Sequence, residues 1–381
     1  MPSIPAYKKF PLLCILIFAP ALYPQTFISD DYTHFTPNSG QGERTISNDI
    51  GTLDVVFTLP FLVYKKHHII LSNNSYTKAF FESNFDLTIQ NNNSTINAFD
   101  LSSNKNFTLE NTSGTIDKLT IMQEGQFHLE NKATLQNIAL NANATLTLNS
   151  TSPIISITQT KGKMSLAGSV TNYTQSGGEL HLQSGTITTL TSAGNSSVEI
   201  EQGGTLSSLT LGDSGVLNLK NKGSLKKAKN SGTLILREGG FEDLEQKNGH
   251  LQNHAKIEKL EASGGRIDNL GYISSLNAQS GDTFIKNQSD INSVSLSLGR
   301  LNFHNAGRVL GDFKIGGSST LHLNTLQGIA ERGGIAQITI TQGNPTIIIE
   351  NLQVQTQAGI PSTVVSFLNA QGTSPKYKSI R

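Results

Sequence analysis

The chain has 381 residues, 36% of them hydrophobic and only 15% charged, with 35 Gly, a single Cys and no Trp. Its 29 basic and 28 acidic side chains leave a formal net charge of +1, so there is no chain-wide basic field to attract nucleic acid and no acidic tail. So few charges also exclude a helical fold with Glu, Lys and Arg on its wet faces; the polar surface must come from Asn, Ser, Thr, Gln and Gly, which favour turns and strands.

Residues 1–21 read as a secretory signal peptide. Lys8 and Lys9 form a positive n-region, Leu12 to Tyr23 is an apolar stretch, and Ala19-Pro20-Ala21 resembles a cleavage site. That apolar run falls short of the roughly 20 residues a membrane helix needs, and no later stretch reaches that length, so no stable membrane span is expected. Cys14 follows Leu13, where a lipoprotein would carry a small residue. Cleavage at Ala21 removes this cysteine and leaves a mature chain that must be stable without disulfides.

Residues 22–84 lack the period found later and are expected to form an atypical N-terminal cap over the first turn of a repeat. They carry the densest apolar stretch, Val55 to Tyr64, followed by Lys65, Lys66, His67 and His68. Insertion of this stretch into a membrane surface is the sharper alternative, opposed by Thr58, Pro60 and its short length.

From residue 85 to about 330 one pattern recurs. An apolar-x-apolar pair is written as Leu87/Ile89, Phe107/Leu109, Phe127/Leu129, Leu146/Leu148, Met164/Leu166, Leu180/Leu182, Val198/Ile200, Leu217/Leu219, Leu234/Leu236, Leu301/Phe303 and Leu321/Leu323. A second element follows, as in Ile96/Phe99, Ile116/Leu119, Leu206/Leu209, Ile257/Leu260 and Val309/Phe313. Asn closes the first element at Asn91, Asn111, Asn131, Asn221, Asn253, Asn269, Asn287 and Asn305. Alternation with period two over a few residues, bounded by Gly, Asn and Ser, predicts very short half-buried strands. A period of about 18 residues means that no unit buries a face alone, so successive units must stack.

The fold expected is an all-β, right-handed parallel β-helix of about 13–15 coils. At one inter-strand spacing per coil, roughly 4.8 Å, it would be a rod roughly 65–70 Å long. Gly114, Gly125, Gly185, Gly204, Gly232 and Gly265 are expected at corners with positive φ. The recurring Asn is expected to take the same conformation while its amide bonds the Asn one coil away. A sandwich or propeller is the alternative, disfavoured because it needs hairpin signals and longer units. Residues 331–381 are read as last coils and a truncated segment, with Ile347/Ile349/Asn351 repeating the signature once more.

Little in this pattern points to chemistry. Gly212-Asp213-Ser214-Gly215 has the lettering of a protease nucleophile but sits at a corner where sister units carry polar turns. His128, His181 and His322 each lie between the apolar residues of a strand, point outward and are coils apart, too distant to share a metal. His67 and His68 are strand neighbours and point to opposite faces. The outward band of Lys226/Lys227, Glu242/Asp243 and Glu258/Lys259 reads as a salt-bridged ladder, with Lys226 over Glu242 and Lys227 over Asp243. No catalytic, cofactor-binding or metal-ligating residue is expected, and no cofactor.

The phrases GTIDKL, GTLSSL, GGFEDL and GRIDNL, interleaved with GELHLQS and GVLNLKN after a signal peptide, resemble the passenger regions of vacuolating-cytotoxin-like autotransporters of the type V secretion route. The resemblance covers about Phe85 to Thr325. It implies export through an outer-membrane translocation machinery and a non-catalytic role at the bacterial surface or in the medium, in adhesion, colonisation or toxin-like action on a host cell or its matrix. A membrane-acting toxin fragment and a polysaccharide-degrading β-helix enzyme are the alternatives. The chain departs from the family in showing no barrel of alternating ten-residue strands.

Overall fold

The computed structural model describes residues 67–326 and 334–352 without a break, strands at 25–28, 43–47 and 50–57, and short segments between 356 and 379. The signal segment, residues 58–66 and Arg381 lie outside the described residues. Parallel strands stack into a β-solenoid of about 13 turns with about 19 residues per turn, and no helix is present among the described residues.

Each turn contributes two strands because its apolar residues come in two groups. In Leu87–Asn92 strict alternation buries Leu87 and Ile89. In Thr95–Ser103 a two-residue step between Ile96 and Phe99 interrupts the alternation, and both side chains still face inward. In-register pairing then lines the core with rows of like residues. Leu87, Phe107, Phe127, Leu146, Met164 and Leu180 form one row. Phe99, Leu119, Ile138, Ile157 and Tyr173 form another. All are at most 3% exposed, and each such side chain contributes roughly 1.5–3 kcal/mol of burial. Among the described residues the one antiparallel pair is Thr356–Gln357 with Ile360–Pro361, so neither sandwich nor propeller is formed.

All eight recurring Asn residues are buried; seven bond to one another along the stack as expected, while Asn221 donates instead to the Gly240 carbonyl. Asn91 Nδ2 donates to Asn111 Oδ1 at 3.0 Å, Asn111 to Asn131 at 2.8 Å, and Asn131 to Ser150 Oγ at 2.8 Å. A second run goes Asn253 to Asn269 (2.8 Å), Asn269 to Asn287 (2.7 Å) and Asn287 to Asn305 (2.8 Å). Each amide satisfies the next inside a dry core, where an unpaired one would be costly. Their backbone conformation differs from expectation. Among the described residues, positive φ outside glycine belongs to the exposed corner residues Asn73 and Asn93, and the ladder Asn have none. The bond to the next turn needs extended backbone, so the corner and ladder roles fall to different residues.

The glycine expectation is corrected in the same way. Gly185 and Gly265 have φ of 91° and 82°, whereas Gly114, Gly125, Gly204 and Gly232 do not adopt positive φ. Those four are needed for space. A Cβ on Gly232 would lie 2.4 Å from the carbonyl oxygens of Gly212 and Gly215, and one on Gly125 2.3 Å from that of Ser103.

The stack also begins earlier than the repeat is legible. Glu43–Ser47 pairs with His67–Ser72, and Ile50–Phe57 pairs with Ser75–Ser83. Leu53, Val55, Ile69, Leu71, Tyr76, Ala79 and Phe81 extend the core. Within 22–84, the strands Glu43–Ser47, Ile50–Phe57, His67–Ser72 and Ser75–Ser83 thus pair in parallel as part of the stack. At the other end Ile347 pairs with Leu321 and Ile349 with Leu323, as the repeated signature predicts.

Candidate functional site

One outward face departs from the run of Thr, Ser and Asn. It is built by Lys163–Ala167, by residues 179–184 and 195–201 within the long extended run Val170–Leu211, and by Val216–Asn221 and Thr233–Glu238. Alternation turns every second residue of these strands to solvent, and register sets Lys163 beside Glu179, Ser165 beside His181, and Glu199 beside Lys220. Register shifts at Leu166/Ala167 and Leu219/Lys220 bracket the region. Such bulges bend the sheet. Between them lies a concavity of about 620 Å³ lined by Lys163, Glu179, His181, Glu199, Lys220 and Arg237, among others.

At its wall His181 Nε2 lies 3.0 Å from Glu201 Oε1. Lys222 Nζ donates to Glu199 Oε1 at 3.3 Å and approaches Glu201 Oε1 at 3.8 Å. Glu199 and Glu201 share a face because they are two residues apart on a strand. The hydrogen bond from His181, reinforced by Lys222, holds the Glu201 carboxyl below its usual range. The bond to Glu199 raises the Lys222 ammonium. All four side chains are between 34% and 43% exposed, so water screens these effects. One nitrogen and two carboxylate oxygens, from His181, Glu199 and Glu201, all lie within 4.8 Å of one another.

The residues singled out in the sequence are distributed as follows. His128 pairs with Glu130 at 2.8 Å and His322 with Glu350 at 3.0 Å, and the three outward histidines stay on separate turns. His68 is half-buried, and the side chain of His67 lies outside the described residues. Gly212 to Gly215 is a turn closed by Gly215 N–H donating to the Gly212 carbonyl, with Ser214 Oγ donating to the carbonyl of Ala193 at 3.2 Å. That hydroxyl serves the turn.

In the charged band the register is as read, with Lys227 beside Asp243 and Asp243 beside Lys259. The ion pairs fall elsewhere: Lys229 with Glu245 at 3.4 Å, Lys259 with Glu261 at 2.6 Å, and Lys256 with Glu258. Neither Lys226–Glu242 nor Lys227–Asp243 forms an ion pair among the described residues. Lys256 and Lys259 each reach the glutamate two positions on along their own strand, and Lys229 reaches its register partner on the neighbouring one.

Sequence reasoning compared histidines with one another and so passed over the carboxylates gathered around His181. Their separations of 18 and 20 residues, about one turn, were the available signal. No family model, curated protein or solved structure matches this chain, so the face is interpreted from its own chemistry.

Proposed function

We propose that the chain is a secreted or surface-exposed passenger of the autotransporter kind, a non-catalytic rod engaging a host cell surface or extracellular matrix in adhesion, colonisation or toxin-like contact. The supporting observation is the long parallel stack of the described residues, with apolar side chains inside and long faces of Asn, Ser and Thr outside. Such a body offers extended lateral area, on which affinity accumulates over many weak contacts. The signal-like segment at residues 1–21 supports export, and the lack of cysteine after it suits a chain translocated before it folds. Nucleic acid is not an expected partner at a net charge of +1.

The test is saturable binding of the purified chain from residue 22 onward to cultured epithelial cells and immobilised matrix proteins, alongside fractionation of the producing bacterium. Binding with the chain in the outer-membrane or medium fraction is the expected result. Confinement to the cytoplasm, or no saturable binding to either surface, would overturn the reading. Release of new reducing ends from a polysaccharide, lost on Glu199→Gln, would favour the enzyme alternative instead.

A further inference from the structure

We propose that His181, Glu199 and Glu201 form a binding site for a divalent transition-metal ion, with zinc the expected occupant. Among the described residues this is the group of three potential ligand side chains whose donor atoms come within 4.8 Å of one another. It joins one imidazole nitrogen to two carboxylate oxygens, a donor set suited to zinc, whereas calcium and magnesium prefer oxygen alone. Around a zinc ion with bonds of about 2.0–2.2 Å, donor atoms sit roughly 3.3–3.5 Å apart, so closure needs no more than roughly 1.5 Å of side-chain movement. Side chains more than one-third exposed can make that adjustment without disturbing the core.

The backbone does most of the positioning. His181 stands on one turn and both glutamates on the next, separated by one inter-strand step, with alternation keeping Glu199 and Glu201 on one face. Lys222 strengthens the argument. Its ammonium lies 3.3 Å from Glu199 and 3.8 Å from Glu201, so a cation already holds these two like charges together. A metal would displace it, and Lys222 then swings into solvent on its flexible stem. The other outward histidines provide internal controls. His128, His250 and His322 are each paired with one carboxylate, Glu130, Asp268 and Glu350, and none of them belongs to a group of three ligand side chains among the described residues. This inference goes beyond the proposed surface role and does not depend on where the chain works.

The experiment is zinc titration of the chain from residue 22 onward, using zinc alone in chelator-buffered solution and reading affinity and stoichiometry by calorimetry. One equivalent should bind more tightly than any other. His181→Asn and the double variant Glu199→Gln/Glu201→Gln should each weaken that equivalent by at least about tenfold, while His128→Asn leaves it unchanged. Lys222→Met should tighten it by roughly three- to tenfold, the size that removing two part-exposed competing ion pairs implies. Far-UV circular dichroism confirms that each variant keeps the solenoid. Unchanged affinity in His181→Asn, or weaker binding in Lys222→Met, overturns the site. Displacement of zinc by an equal concentration of calcium overturns the assignment to a transition metal.

Discussion

Replacing Asn287 by Ala tests whether the buried amide ladder holds the turns together. Asn287 is fully buried, accepts from Asn269 Nδ2 at 2.7 Å and donates to Asn305 Oδ1 at 2.8 Å. Alanine removes both bonds and leaves two polar groups, the Asn269 amide and the Asn305 carbonyl, in a dry interior. Each orphaned group costs about 1–3 kcal/mol, so the substitution should destabilise the protein by about 2–6 kcal/mol. Asn221 is the matched control. Its Nδ2 donates to the Gly240 carbonyl at 2.6 Å, but its Oδ1 already lacks a partner. Asn221→Ala therefore strands one group and should cost about 1–3 kcal/mol. Urea unfolding followed by far-UV circular dichroism gives the totals. Hydrogen exchange at the amides of 282–305 shows whether the loss is local, which matters because long repeat arrays depart from two-state behaviour. Equal costs for the two variants, or a larger one for Asn221→Ala, would refute the reasoning.

Core polarity can be tested at Leu206, Leu209, Leu217 and Leu219, all at most 1% exposed; Asp at any of them should cost several kcal/mol in urea unfolding, while Asp at the half-buried Ser207, Ser208 or Asn218 is tolerated. Gly239→Ala should prevent or severely weaken folding, because φ is 91° and a Cβ would fall 1.5 Å from the Asn221 carbonyl oxygen, whereas Gly212→Ala, with nothing nearer than 3.8 Å, should leave the melting temperature nearly unchanged. Glu242→Gln/Asp243→Asn should move stability by at most about 1 kcal/mol, with any effect shrinking in high salt. Acid sensitivity follows from three carboxyls held below their ordinary values: Glu201 by His181, Glu258 by Lys256, and Asp268, whose burial raises it but is outweighed by Arg266 and His250. Groups lowered by folding stabilise fully above their unfolded values, 4.5 for Glu and 3.8 for Asp, and lose that contribution as pH falls through the lower folded ones. The melting temperature should therefore drop below about pH 4.5, and Asp268→Asn should make the drop shallower.

Much of the fold was legible because one rule, inward apolar residues at period two, repeats often enough to set the register. It failed where the local signal was masked. Leu53/Val55 and Ile69/Leu71 obey the pattern, but the long apolar run from Val55 to Tyr64 hid them. Ile154 and Ile157 occupy the core behind Pro153 and were not assigned to a turn. A second buried polar set at the end of the second strand was invisible, because polar letters look like surface. There Gln159 accepts from Tyr173 Oη at 2.6 Å, and Asn230 donates to Gln246 at 2.7 Å. Burial raises the Tyr173 hydroxyl well above its ordinary pKa, so it stays a donor. The His181 group required comparison of outward positions across neighbouring turns. The ion pairs required knowing how far each lysine reaches.

The bonded Asn partners are 20 residues apart between Asn91 and Asn111, 16 between Asn253 and Asn269, and 18 between Asn269 and Asn287, yet the bond is 2.7–3.0 Å in each case. The corners take up the difference. Turn length is therefore a free variable, while the place of each residue within its strand is not. Excising residues 254–269 would bring Asn253 to face Asn287 and leave every row intact, whereas deleting one residue inside a strand would turn that row inside out. Whole turns can thus be gained or lost like links of a chain, and reach becomes a trait that recombination can adjust without redesigning the interior.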